Sequence, residues 1–222
     1  MTRFVLITLL LCPLALAQKP AVDPVAVARS FLPPHTQLGT LYTFDYRTLS
    51  YGPDYPAVLT GHIVSPSSND IVFAYYSPRP NVMPKTLFVT LLHPNAGVYQ
   101  KIYELSYRPQ ILLVSNAIRI VHLRNVPTDG VAVIAGIGAA LGGHLQVFVW
   151  RDPWGWQNIF PPNGGMHYFY FFPKPAGLEV ALTYVNHPGL NVSPPPFWYR
   201  WNGKRFVKIP PPKGSSKWRL PD

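Results

Sequence analysis

"DGVAVIAGIGAALGGHLQVFVW", residues 129 to 150, holds an apolar run followed by Gly136, Gly138 and Gly142, and its reading decides the fold. A dinucleotide-binding loop needs a helix directly after its glycines, because the free amides at a helix N-terminus hold the pyrophosphate. Here the glycines lead into "HLQVFVW", which alternates and is rich in β-branched and aromatic residues. The spacing is G-x-G-x-x-x-G, and the nearest later acid, Asp152, lies in a turn rich in Trp, Pro and Gly. The stretch therefore reads as two strands joined by a glycine turn.

The surrounding chain repeats this pattern. "IVFAYYSP" (71 to 78), "VAVIAG" (131 to 136) and "LEVALTYV" (178 to 185) align as one strand, and "LFVTLL" (87 to 92), "LQVFVW" (145 to 150) and "FWYRWN" (197 to 202) as the next. "YQKI" (99 to 102), "WQNI" (156 to 159) and "FVKI" (206 to 209) give a third, while "IRIVHLR" (118 to 124) and "MHYFYFF" (166 to 172) supply a fourth to the first two units. Ile102, Ile159 and Ile209 are 57 and then 50 residues apart, a period that suits a four-stranded antiparallel unit stacked on its neighbours. Asn202-Gly203 reads as a two-residue hairpin turn. "LYTFDY" (41 to 46) and "PAVLTGHIV" (56 to 64) offer a degenerate further unit. The expected fold is all-β, made of antiparallel propeller-like repeats, with an open β-meander or sandwich as the alternative.

Upstream, Asp23-Pro24 before "VAVARSFLPP" predicts one short helix, about 24 to 32, stopped by Pro33-Pro34. Residues 1 to 17, with Arg3, an apolar run carrying Pro13 and the small-x-small site Ala15-Leu16-Ala17, read as a signal peptide. That run is too short to span a bilayer, and Leu11 ahead of Cys12 argues against a lipid-bearing cysteine. The division is then 1 to 17 signal peptide, 18 to 40 helical segment, 41 to 209 repeat domain, and 210 to 222 a Pro-rich basic tail expected to be disordered. The mature chain has no cysteine, which excludes disulfides and thiolate chemistry. The expected location is secreted or periplasmic.

The formal charge is +10, or +9 without Arg3, spread singly along the chain, which reads first as a solvated surface. Nine acidic residues are few for a hydrolase, and nothing in the spacing pairs Glu104, Asp129, Asp152 or Glu179 as a glycosidase needs. Seven histidines show no H-x-H or H-E-x-x-H spacing, and no G-x-S-x-G elbow exists. No catalytic residue, metal or cofactor is assigned, and neither a nucleic-acid partner nor a membrane span is expected.

The segment resembles the FG-GAP/VCBS type of β-propeller repeat. The shared elements are "VPTDG" (126 to 130), "VAVIAG", "GIGAALGGH" and "VFVW", and "YRWNGKRF" (199 to 206) repeats the last. Only Asp129-Gly130 survives of that family's Asp-x-Asp-Gly-Asp-Gly loop, so calcium binding is not carried over. The resemblance implies a binding or scaffolding role. Within "WRDPWGWQ", Trp156 aligns with Tyr99 and Phe206 as a core residue, whereas Trp154 has no counterpart and is expected to be exposed. Trp154, with Arg151 and Asp152, is the candidate site for a glycan or envelope polymer. The alternatives are a protein-interaction scaffold of the envelope and a carboxylate-dependent hydrolase.

Overall fold

The computed structural model describes residues 22–41, 44–45, 50–51, 55–76, 85–110, 118–137, 142–163, 168–175, 177–183 and 197–212. The expected signal peptide, residue 138 of the expected glycine turn and the tail beyond 212 lie outside them. One helix, α1 (Pro24–Ser30), is capped by Asp23, whose side chain accepts from Val25 N at 2.9 Å, with Pro24 in the first turn. It stops before the prolines, at Phe31, whose N–H bonds Ala28 O.

Everything else regular among the described residues is strand. Two small ladders pair β1 (Thr40–Leu41) with β4 (Tyr55–Pro56), and β2 (Phe44–Asp45) with β3 (Ser50–Tyr51). Three four-stranded antiparallel sheets follow, each a meander of consecutive strands. Sheet 1 is β5 (Val58–Gly61), β6 (Asp70–Tyr76), β7 (Lys85–Asn95) and β8 (Val98–Gln110). Sheet 2 is β9 (Ile118–Val121), β10 (Gly130–Ile137), β11 (Gly142–Arg151) and β12 (Gly155–Asn158). Sheet 3 is β13 (Tyr168–Phe172), β14 (Glu179–Thr183), β15 (Phe197–Trp201) and β16 (Phe206–Ile209). Gly136 and Gly142 belong to the antiparallel pair β10–β11, with Gly136 opposite Gly143 and Ile137 opposite Gly142.

The expected repeat boundaries are corrected in phase. "IRIVHLR" and "MHYFYFF" do not close the first two units; as β9 and β13 they open the second and third sheets, pairing with β10 and β14. Likewise "PAVLTGHIV" supplies β5, the opening strand of sheet 1, rather than a separate unit. A periodic sequence sets the period but leaves the starting point free, and hydrogen bonding chooses it.

The strands read as continuous apolar runs because the sheets bury both faces. Along β6, Val72 and Ala74 join Val131, Val133, Phe148 and Trp156 between sheets 1 and 2. Ile71, Phe73 and Tyr75 point the other way, with Ala28 of α1. On β10, Ala132 turns to the second core, shared with Leu145, Val147 and Val149 of sheet 2 and Val180, Leu182 and Trp201 of sheet 3. Ala181, Tyr170 and Trp198 form a cluster on the opposite face of sheet 3. Alternation with period 2 thus assigns each side chain to one of two cores.

One hairpin departs from expectation. Asn202-Gly203 is not the central pair of its turn: Asn202 N bonds Arg205 O, and its Oδ1 accepts from Lys204 N and Arg205 N, so the turn sits on Gly203 and Lys204. Gly203 alone takes a positive φ, 95°, which a Cβ would oppose. The positive-φ pair occurs instead at Ala96 and Gly97, between Asn95 and Val98. Leu145→Ala, removing a side chain only 1% exposed between sheets 2 and 3, should cost about 2–5 kcal/mol, whereas Val207→Ala, only partly buried, should cost less. Denaturant midpoints at unchanged slope would measure both.

Candidate functional site

Each sheet carries an acid just before the apolar run of its second strand: Asp70, Asp129 and Glu179. Asp70 is fully buried, a cost that only hydrogen-bond donors can offset. Its Oδ2 accepts from Ile63 N and Val64 N, both at 2.8 Å, and from Ser68 Oγ at 2.5 Å, while Oδ1 accepts from His93 Nδ1 at 2.7 Å. The β5–β6 loop is thereby wrapped around one carboxylate. His62 Nδ1 closes the loop further by donating to Ser68 O.

Asp129 performs the equivalent task between sheets. Its backbone N donates to His62 O at 2.8 Å and its Oδ2 accepts from His62 N at 2.8 Å, so both backbone groups of His62 are held from sheet 2. Oδ1 accepts from His122 Nδ1 at 2.6 Å. Gly61 is needed beside this clamp, because a Cβ there would lie 2.9 Å from Asp129 Oδ2. The same β9–β10 loop reaches sheet 3 through Arg124 O, which accepts from Trp201 Nε1 at 2.8 Å. Glu179 is engaged within sheet 3, where Arg200 Nε and Nη2 both donate to its Oε1.

These ties fix the loops at one end of the stack, where a groove of about 580 Å³ opens. Its walls come from all three sheets: Val64 to Pro66, Asn125 to Thr128, Val149 to Asp152, and Trp201 with Gly203 and Lys204. Of the three residues picked out from the sequence, Arg151 and Asp152 line this groove. Trp154 is not in its wall but stands at the tip of the same β11–β12 hairpin, 70% exposed. Trp156 is 3% exposed and packs on Phe148 and Tyr103. Asp152 Oδ1 accepts from Trp150 Nε1 at 2.8 Å.

The other acids weighed for hydrolysis are each held in a separate hydrogen-bond arrangement. Glu104 accepts from Tyr75 Oη at 3.0 Å and Thr90 Oγ1 at 2.8 Å on the helix side of sheet 1, with Lys101 at 3.5 Å. Asp70, which sequence reasoning passed over, does share the His62–Val64 backbone with Asp129, but it is closed to solvent. Ser68, Asp70 and His93 do not form a nucleophile relay, since the hydroxyl meets the carboxylate rather than the imidazole. Among the described residues no three His, Cys, Asp or Glu side chains gather as a metal site, and no helix is long and apolar enough to cross a membrane. The missed signal was positional: an acid preceding the same strand in all three units.

Comparison with protein-family models, curated proteins and solved structures finds no match.

Asp70→Asn keeps the shape but places an amide against three donors; it should cost about 2–4 kcal/mol by thermal unfolding, and Asp129→Asn, nearer solvent, about half that. Burial, followed by the hydrogen bond to Glu104, raises the Tyr75 phenol above its usual 10.0, and burial does the same for Tyr107, whose hydroxyl has no hydrogen-bond partner among the described residues. Keeping these phenols neutral favours the fold in full below pH 10, and the benefit is lost as pH rises beyond it. Near-ultraviolet absorbance during alkaline titration should therefore show both ionising above the bulk of the tyrosines.

Proposed function

We propose that the chain is an exported, non-enzymatic binding protein of propeller-like β units, related in design to FG-GAP/VCBS repeats, that recognises a glycan or envelope polymer at its loop end. The observation carrying this reading is the groove built jointly by loops of three stacked meanders, beside a hairpin that holds Trp154 out to solvent. Exposing an indole costs hydrophobic free energy that the fold does not recover, and an aromatic face beside a concave polar groove suits stacking on a sugar ring. Ser65, Asn125 and Thr128 supply side chains of the kind that hydrogen-bond to hydroxyls. Hydrolysis gains no support from the described carboxylates, each of which is held in an internal hydrogen bond.

A protein-scaffold reading draws on a different observation: Val98, 66% exposed at the β7–β8 turn, gives a second apolar tip. The two separate by experiment. Titration of an oligosaccharide panel against the secreted protein, followed by tryptophan fluorescence, should show binding that Trp154→Ala weakens at least about tenfold without changing the melting temperature. Unaltered binding in that variant would move the site elsewhere, and co-purification of one envelope protein with no glycan binding would favour the scaffold.

A further inference from the structure

The carboxylates and the cations of this chain are used in opposite ways. Six acids have described side chains, and all six are engaged: Asp23 caps α1, Asp70 and Asp129 hold backbone amides and imidazoles, Glu104 takes two hydroxyls, Asp152 takes an indole N–H, and Glu179 takes Arg200. Lys101 and Arg200 are the cations that meet a carboxylate among the described residues. Arg151 and Lys204, from sheets 2 and 3, both line the groove, and both are exposed without a carboxylate partner among the described residues. Arg124 and Arg205 stand exposed one residue from the groove wall. The groove's own acid, Asp152, is held by Trp150 Nε1, 2.8 Å away. The groove lining thus holds two exposed cations, from different sheets, against one carboxylate that is already hydrogen-bonded, and its formal balance is positive.

We infer that the groove takes an acidic polysaccharide, a sugar chain bearing carboxylate or sulfate groups, with Arg151 and Lys204 pairing to its anions and Trp154 stacking on a neighbouring ring. The inference rests on the glycan reading of the groove and adds the charge of the ligand. A concave, hydroxyl-lined groove favours a chain over a flat lipid surface, which would be met by a convex apolar patch. The guanidinium of Arg151 can engage a carboxylate or sulfate through two parallel N–H donors, and the Lys204 ammonium adds a second point charge, so spacing along the chain is read as well as sign.

The test uses the whole secreted protein and four probes: oligogalacturonate, the same oligomer methyl-esterified to remove its charge, a sulfated oligosaccharide, and vesicles of phosphatidylglycerol with phosphatidylcholine. An Arg151→Gln/Lys204→Gln protein is compared with an Arg29→Gln/Lys208→Gln protein, which loses the same charge from positions on α1 and along β16 that do not line the groove. The expected result is binding of at least one acidic oligosaccharide, weakened by added salt, reduced roughly fivefold or more in the groove variant and unchanged in the control. If charged and esterified oligomers bind alike and the groove variant is unaffected, while Trp154→Ala still abolishes binding, the glycan reading stands and the charge assignment is overturned. Equal losses in the two charge variants would place the effect in the overall field and also overturn the assigned pairing. Failure of every sugar to bind ends both readings, and vesicle binding lost only in the groove variant would assign the two cations to a lipid headgroup instead.

Discussion

A carboxylate with no access to water organises this molecule. Removing an ion such as Asp70 from solvent costs several kcal/mol, which its surroundings must return through charge-assisted hydrogen bonds. The donors are two consecutive backbone amides, a hydroxyl and an imidazole, and bringing them together leaves the β5–β6 loop little freedom. That loop then presents His62 with both backbone groups turned to Asp129, so the first sheet is locked to the second. From the same β9–β10 loop, Arg124 O engages the Trp201 indole and locks the third. The apolar cores supply the bulk of the stabilisation, but they are non-directional; the polar ties decide how the loop ends align.

The cores themselves explain why the strands carry so little polar alternation. A meander exposed on one face would alternate apolar and polar residues, as antiparallel sheets commonly do. Here Val131 and Ala132, adjacent in β10, enter different cores, and Phe171 and Phe172, adjacent in β13, likewise pack on opposite sides. Aromatic side chains fill the wider spaces, with Phe73, Tyr75 and Phe88 stacked beneath α1 and Trp201 against Phe206 between sheets 2 and 3.

Much of this was legible in the sequence because it depends on local pattern. The strands, their antiparallel order within a unit, the helix start at Asp23-Pro24 and the opposite fates of Trp154 and Trp156 all follow from apolar periodicity and from alignment of the units against one another. What escaped depends on partners remote in the chain. The phase of the repeat is set by which neighbour β9 and β13 bond, and Asp70 looks like an ordinary loop acid until Ile63, Val64 and His93 are seen around it. The Asn202-Gly203 turn moved by one residue because the Asn202 side chain caps the turn from outside, an option that the dipeptide does not announce. The groove was half visible, through Arg151 and Asp152; Lys204 belongs to it only by virtue of sheet 3 lying beside sheet 2.

Sheet 2 shares one core cluster with sheet 1 and another with sheet 3, whereas the outer two sheets share none among the described residues. They communicate through the middle. A ligand lying along the groove would touch Ser65 and Pro66 on one side and Gly203 and Lys204 on the other, acting as a strut between two bodies otherwise joined in series. By thermodynamic linkage its binding energy would then appear as added cooperativity, with three sheets that can open one after another made to open together.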